Sequence, residues 1–259
     1  MGVSRKSRNP HNDSMMSFSS RNKRVGKFVR QSKKTTFGSL PRDILVDVLA
    51  YVASDSFDNL FKAKLSCKVL LDAAKDDSIF RSISLDKFPV TPWFPLNDRV
   101  QSFLTHCFEI GNSHALFRHG MIEYFKLGKV ESGLEYLKRA VRKGHSVATY
   151  VYGMILLSRG DEVSCQEGLN VLNHMKYSSH GNWNVKRCRD EIKCILDRMW
   201  IKNWFALENV DTRCQEQGHV SQFCCRGWNF DDNVKVSSCD TCMWYRELVN
   251  FCKIRNVMV

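Results

Sequence analysis

The apolar residues between Phe37 and Leu85 recur at helical spacing in three short runs. Pro41 suits the first turn of a helix that Ser39 can cap, because proline lacks only an N–H that is unpaired there anyway. Further helices are predicted near 58–66 and 68–75. A segment this short has more apolar surface than it can bury within itself. We therefore expect a partner to cover part of that surface. The apolar positions of the first run are Ile44, Leu45, Val48, Leu49 and Val52.

Three of the five prolines follow within ten residues, at 89, 92 and 95. Each fixes its own φ and pushes the preceding residue toward extended backbone, so this segment predicts a semi-rigid boundary. Trp93 and Phe94 are expected to pin it to a neighbouring domain. The next helix is expected to be capped by Asp98 and to end at Gly111.

An internal repeat follows the proline cluster. The segment 115–121 resembles 148–154 at an offset of 33 residues, and 133–137 resembles 168–172 at an offset of 35. Gly128, Gly144 and Gly160 fall where helices of these units should end. Each unit therefore predicts two helices joined by a glycine turn, stacked on the next. His114, His119 and His145 are expected to be packing or surface residues.

The net charge of +12 is concentrated at the start of the chain. Residues 1–36 contain ten Lys or Arg and one acidic residue, and so carry nine of the twelve charges. This polar segment predicts a disordered tail. Three interpretations of its basic residues are left open: a nuclear localisation signal, a polyanion-binding arm or a solubilising leader. The residues concerned are Arg21, Lys23 and Arg24. The chain has no apolar run long enough for a membrane span and no secretory signal at its start, so we expect no membrane partner.

Six of the eleven cysteines lie between Cys214 and Cys252. The pair Cys239 and Cys242 has the spacing that places two thiolates on one Zn²⁺, between a predicted strand at 234–236 and a predicted helix from Trp244 to Phe251. A structural zinc and a metal-free segment both fit this pattern. Four ligands are expected from the candidates Cys214, His219, Cys224, Cys225, Cys239 and Cys242.

The order Leu-Pro, an Ile/Leu/Val helix, Leu-Ser-Cys-Lys and Asp-x-x-Phe between Phe37 and Leu85 resembles an F-box. The resemblance implies binding to a Skp-type adaptor and, through it, to a cullin. The alternative is a helical subdomain packed entirely on the rest of the chain. Carried over by position, the adaptor-binding residues are Leu40, Pro41, Ile44, Leu45, Val48, Leu49, Leu65, Cys67 and Val69.

The repeat between Ser113 and Met175 resembles Sel-like repeats, relatives of the tetratricopeptide class, and the whole chain resembles plant F-box proteins that combine these parts with a Cys-rich end. Whether a peptide groove lies on the repeats is left open. The expected fold is mainly α. Its parts are a disordered basic tail at 1–36, an F-box at 37–85, a Pro-rich linker at 86–97, a helical repeat domain at 98–207 and a Cys-rich module at 208–259, which is the candidate zinc site.

The resemblance implies a non-catalytic substrate receptor of a Skp–cullin–F-box ubiquitin ligase that also binds an unknown target protein. The alternative is a nucleic-acid-binding regulator that uses the tail and the Cys-rich module, which is disfavoured because most of the charge lies outside the folded part. An enzyme is disfavoured because the chain lacks the common nucleophile, phosphate-loop and metalloprotease motifs. We expect the protein in the nucleus, the cytoplasm or both.

Overall fold

We describe the chain in a computed structural model over residues 40–178, 185–203 and 239–254. The regular structure of these residues is helical, which confirms the predicted mainly α fold. The tail at 1–36, Ser39 and the predicted strand at 234–236 lie outside the described residues. The first four helices are α1 (Arg42–Asp55), α2 (Phe57–Ser66), α3 (Lys68–Ala73) and α4 (Asp77–Ser82).

The remaining helices follow the proline cluster. One of them, Ile122–Leu127, is a π-helical turn that extends its predecessor, and the sequence pattern contains no signal for it. The others are α5 (Asp98–Glu109), α6 (Ser113–Met121), α7 (Val130–Arg142), α8 (Ser146–Ser158), α9 (Glu162–Ser178), α10 (Val185–Leu196) and α11 (Asp240–Lys253).

Two helix starts differ from the sequence prediction. Helix α1 begins at Arg42, so Pro41 occupies the cap position and not the first turn. Helix α5 is capped by Asn97 and not by Asp98, because the Asn97 Oδ1 accepts a hydrogen bond from the Val100 N–H at 2.9 Å. An Asn side chain one residue earlier reaches the unpaired N–H groups of the first turn equally well.

The predicted glycine turns and close helix packing are confirmed. Gly128, Gly144 and Gly160 all have φ between 72° and 78°, the left-handed conformation that favours glycine. Within the helix pairs, a Cβ on Gly133 would lie 2.6 Å from the Tyr124 backbone nitrogen. A side chain there would force α7 away from the preceding π-helical turn.

The described residues form two apolar cores that meet at α5 and α6. The first core is built from α1–α4 and also takes in Cys107 of α5 and Ala115 of α6. The second core comprises the hairpins α6–α7 and α8–α9 with α10 and α11. Phe108 packs against both cores, so the N-terminal helices rest directly on the first repeat helix.

Asn112 joins the two cores by hydrogen bonds. It is fully buried, and its Nδ2 donates to the carbonyls of Phe80 at 2.8 Å and Ile83 at 2.9 Å. Its Oδ1 accepts from the Ala115 N–H at 3.0 Å, so the same side chain caps α6. One residue thus satisfies backbone groups on both sides of the junction.

The segment 86–97 is held to the helical body, but not as predicted. The Thr91 hydroxyl donates to the Arg198 carbonyl at 3.1 Å, and the Arg118 guanidinium donates to the carbonyls of Phe88 and Pro89. Trp93 and Phe94 are 78% and 81% exposed, so the prediction that they pin the segment is wrong. Polar side chains of other elements bind its backbone instead.

Helix α11 docks on the repeats through a buried polar network. The Glu247 carboxylate accepts hydrogen bonds from the Tyr150 hydroxyl at 2.6 Å and from the Arg189 Nε at 2.8 Å. Burial and the adjacent Glu247 carboxylate raise the pKa of Tyr150 well above its ordinary value. The Trp244 indole is fully buried beside this network and donates to the Asn173 Oδ1 at 2.7 Å.

Replacing Asn112 by alanine should destabilise the protein by about 2–4 kcal/mol, since it removes a helix cap and leaves buried carbonyls unpaired. The measurement is urea unfolding followed by circular dichroism. Asn97→Ala is the matched control, because Asn97 is also a helix cap but is exposed and bridges nothing else, and it should cost about 0.5–2 kcal/mol. Equal losses in the two variants would contradict the bridging role of Asn112.

Glu247→Ala should cost about 3–5 kcal/mol, because it leaves Arg189 and the buried Tyr150 hydroxyl without their acceptor. The control is Asp197→Ala, which removes the exposed ion pair with Lys193 and should cost about 0–1 kcal/mol. Thermal unfolding measures both changes. A Glu247→Ala protein as stable as the control would show that α11 does not depend on this network.

Candidate functional site

Large apolar side chains are exposed mainly on the first three helices. Among the described residues, fourteen such side chains are exposed, and eight of them lie between residues 40 and 71. We call these eight the outer apolar face. They are Leu40, Ile44, Val48, Tyr51, Phe61, Leu65, Val69 and Leu71.

Helix α1 is apolar on two sides. Ile44, Val48 and Tyr51 follow each other by four and three residues, which places them on one side of the helix. The opposite side packs into the first core through Leu45 and Leu49, which are only 3% and 1% exposed. The prediction that Leu45 and Leu49 face an adaptor is therefore corrected: they bury the helix against α2–α4.

The other predicted adaptor-binding residues lie at or near the surface. Pro41 is exposed at the start of α1, Leu65 at the end of α2 is 84% exposed, and Val69 of α3 is exposed. Cys67, between α2 and α3, is half-buried. The three helices that carry the outer apolar face contact one another. Helix α1 packs on both α2 and α3, and α2 packs on α3.

Sequence reasoning left Tyr51, Phe61 and Leu71 out of the predicted set. Tyr51 follows Ile44 by seven residues, so helical periodicity alone could have found it. Phe61 follows Phe57 by four residues, and the two rings lie 4.6 Å apart between centroids. No comparable signal distinguishes the exposed Leu71 from the buried Leu70 beside it.

Charged pairs occur around the same helices. Arg42 forms an ion pair with Asp76 at 3.2 Å, and Lys87 forms one with Asp58. The Asp76 carboxylate also accepts from the side chain and the backbone N–H of Ser78, and these hydrogen bonds lower its pKa. An apolar surface with charged neighbours is the usual composition of a protein-binding surface.

The three histidines His114, His119 and His145 of the repeat region have structural roles, as expected. His145 caps α8 through its Nδ1, which accepts from the Ala148 N–H at 3.1 Å, and its ring stacks on Phe117. Burial lowers the pKa of His145 to about 3, so the ring is neutral at ordinary pH. The His119 ring packs on Phe108 at 3.8 Å between centroids, and His114 pairs with Asp86 at 3.1 Å.

Two of the six candidate zinc ligands are described. Cys239 precedes α11 and Cys242 lies in its first turn, and both are buried. The predicted helix from Trp244 to Phe251 is confirmed as part of α11. Cys214, His219, Cys224 and Cys225 lie outside the described residues, as do the targeting candidates Arg21, Lys23 and Arg24, whose role stays a prediction.

Within the described ranges, no group of three or more His, Cys, Asp or Glu side chains is arranged to hold a metal ion. None of the helices described here is both long enough and apolar enough to cross a bilayer.

Comparison with known proteins places these features in a family. A family model described as plant tetratrico peptide repeats matches residues 85–197, which include α5–α10. The chain is 27% identical over 156 residues to "F-box protein At2g35280" of Arabidopsis thaliana, covering 60% of this chain and 91% of the relative. No solved structure is significantly similar to this chain.

A second Arabidopsis thaliana protein, "Putative F-box protein At1g67623", is 32% identical to the chain over 236 residues. The match covers 84% of this chain and 77% of the relative. Together with the helical repeats behind the outer apolar face, this similarity shows that the chain belongs to the plant F-box protein family.

Proposed function

We propose that this protein is a substrate receptor of a Skp–cullin–F-box ubiquitin ligase. The observation that carries the proposal is the outer apolar face of α1–α3, which the described part of the chain leaves uncovered. A Skp-type adaptor is the partner that would bury it, and the adaptor would link the protein to a cullin. The membership in the F-box family supports this choice of partner.

The burial energies are sufficient for a stable complex. Each large side chain of the outer apolar face gains about 1.5–3 kcal/mol when it passes from water to an apolar interface. Ile44, Val48 and Leu65 alone are 48%, 51% and 84% exposed, so much of this gain is still available. Association costs reduce the net affinity, but several such anchors are enough for a specific interface.

The role we propose for the chain is non-catalytic. The repeats and the C-terminal helix would hold a target protein while the F-box helices hold the adaptor. Bringing the target close to a loaded ubiquitin carrier raises its effective concentration there, and this proximity is itself a large rate effect. The packing of α1–α4 against α5 and α6 supports such a role, because the two proposed binding ends share a core and are not joined by a bare linker.

We also propose that Cys239 and Cys242 supply two thiolates to a structural zinc. Their three-residue separation and their place at the start of α11 support this, because a helix N-terminus stabilises thiolates and the spacing suits one Zn²⁺. The remaining two ligands would come from Cys214, His219, Cys224 and Cys225. Four protein ligands leave no open position for water, so the metal would be structural.

The double substitution Ile44→Asp/Val48→Asp should abolish capture of a purified Skp-type adaptor, with affinity reduced more than about a hundredfold. Two charged groups would have to be desolvated in the interface, and two apolar anchors would be lost. The measurement is a pull-down with the full chain, followed by calorimetric titration. Both residues are exposed, so the fold should remain intact, which circular dichroism verifies.

The matched control is Val163→Asp on α9, where the valine is 78% exposed outside the outer apolar face. This variant should bind the adaptor like the wild type. A folded Ile44→Asp/Val48→Asp protein that still captures the adaptor at wild-type affinity would refute the proposed docking surface.

Purified wild-type protein should contain about one zinc per chain, and Cys239→Ser/Cys242→Ser should lose it, as measured by atomic absorption. Cys194→Ser is the control, because Cys194 is exposed on α10 and is not a candidate ligand. It should retain the metal. Wild-type protein purified without chelators and free of zinc would refute the metal site while leaving the adaptor surface unaffected.

A further inference from the structure

A cavity of about 470 Å³ lies between the proline segment and helices α5 and α6. Pro92, Pro95 and Leu96 form one side of it, and Leu104, Phe108 and Ile122 form another. Prolines have little conformational freedom to lose, so this wall is largely preorganised for binding. The size and the apolar lining suit a short stretch of peptide better than a single ion.

Arg118 lies in the wall of this cavity as a buried cation that has no acidic partner among the described residues. Only 9% of the residue is exposed, and two of its N–H groups donate to the carbonyls of Phe88 and Pro89. Across the described ranges, no carboxylate lies within ion-pair distance of its guanidinium. Burial lowers the pKa of Arg118 to about 10, and the side chain is still charged at neutral pH.

The remaining hydrogen-bonding capacity of Arg118 is appreciable. A guanidinium carries five N–H donors, of which two are used here, so up to three can serve a ligand. The same charge acts on the neighbouring His119. Burial is the larger cause that lowers the pKa of His119, and the positive charge of Arg118 is the second. A buried charge that lacks a counterion is costly, and an anionic ligand would offset that cost.

Arg118 also borders a smaller cavity of about 280 Å³, on the side of Asp86 and Glu191. Burial raises the pKa of Glu191, and the negative charge of Asp86 raises it further. Arg187 and Arg198 line the smaller cavity as well, so the carboxylates and guanidiniums there can serve as one another's counterions. The larger cavity has Arg118 as the one Arg and no Asp or Glu among the described residues that line it, so an anion there would meet a cation and no carboxylate.

We propose that the larger cavity binds a target peptide through an acidic side chain flanked by apolar residues. The carboxylate would pair with Arg118, and the flanking side chains would pack against Pro95, Leu104 and Ile122. This inference rests on the proposed function for the identity of the ligand as a segment of a target protein. It assigns target selection to the junction between the proline segment and the first repeat.

The test uses two probes, acetyl-Leu-Asp-Leu-amide and acetyl-Leu-Asn-Leu-amide, titrated into the methyl-labelled full chain and followed by NMR. The probes differ only in one charge. The methyl signals of Leu104 and Ile122 should shift with the Asp probe, and its affinity should be about tenfold higher than that of the Asn probe. Equal affinities, or shifts confined to Ile44 and Val48 of the outer apolar face, would overturn the proposal.

Arg118→Gln is the informative variant, because glutamine keeps a polar N–H donor at this position but carries no charge. It should bind both probes with the weak affinity of the Asn probe, whereas Arg118→Lys should keep the preference for Asp. An unchanged preference in Arg118→Gln would overturn the role of Arg118. The wild-type comparison of the two probes remains decisive if either variant unfolds.

The experiment contains no adaptor, so its outcome is separate from that of adaptor docking. Ile44→Asp/Val48→Asp should bind the Asp probe like the wild type, because the two substituted residues do not line the cavity. Loss of probe binding in that variant would place the peptide site on the outer apolar face and overturn the assignment to the cavity.

Discussion

The organisation of this protein depends on one helix that is apolar on two opposite sides. Leu45 and Leu49 seal the inner side of α1 against α2–α4, while Ile44 and Val48 remain in water on the outer side. Helices α2–α4 pack against the inner side of α1, and α2 and α3 add exposed apolar residues of their own to the outer apolar face. The uncovered side is therefore a consequence of the fold, and it is the surface for which adaptor docking is proposed.

The F-box helices do not form an isolated unit. Their core takes in Cys107 and Ala115 from the first elements of the repeat region, and Asn112 links their last carbonyls to the cap of α6. Arg118 extends the same junction by binding two carbonyls of the proline segment. Close packing at this junction suits the proposed receptor role, because a flexible connection would lower the effective concentration of a bound target.

The repeats and α11 are built by different means. The hairpins rely on glycine at points of close approach, such as Gly153, where a Cβ would lie 2.5 Å from Leu172 Cγ. Helix α11 shares the apolar core and adds buried polar contacts, of which Glu247 with Tyr150 and Arg189 is the central group. Apolar packing tolerates many neighbours, whereas a buried carboxylate requires specific donors, so these contacts specify one docking position for α11.

Periodicity and glycine spacing in the sequence by themselves determined most of the helices, the glycine turns between them and the repeat, because these depend on local backbone preferences. They did not determine α4, the π-helical turn or the caps of α1 and α5. The motif order also identified the F-box family. Tertiary packing alone decided which apolar residues of α1 are buried, that Trp93 and Phe94 are exposed, and that Arg118 is enclosed with no acidic partner in the described part of the chain. Those outcomes depend on which distant elements cover a given side of a helix, and neither helical period nor composition specifies that choice.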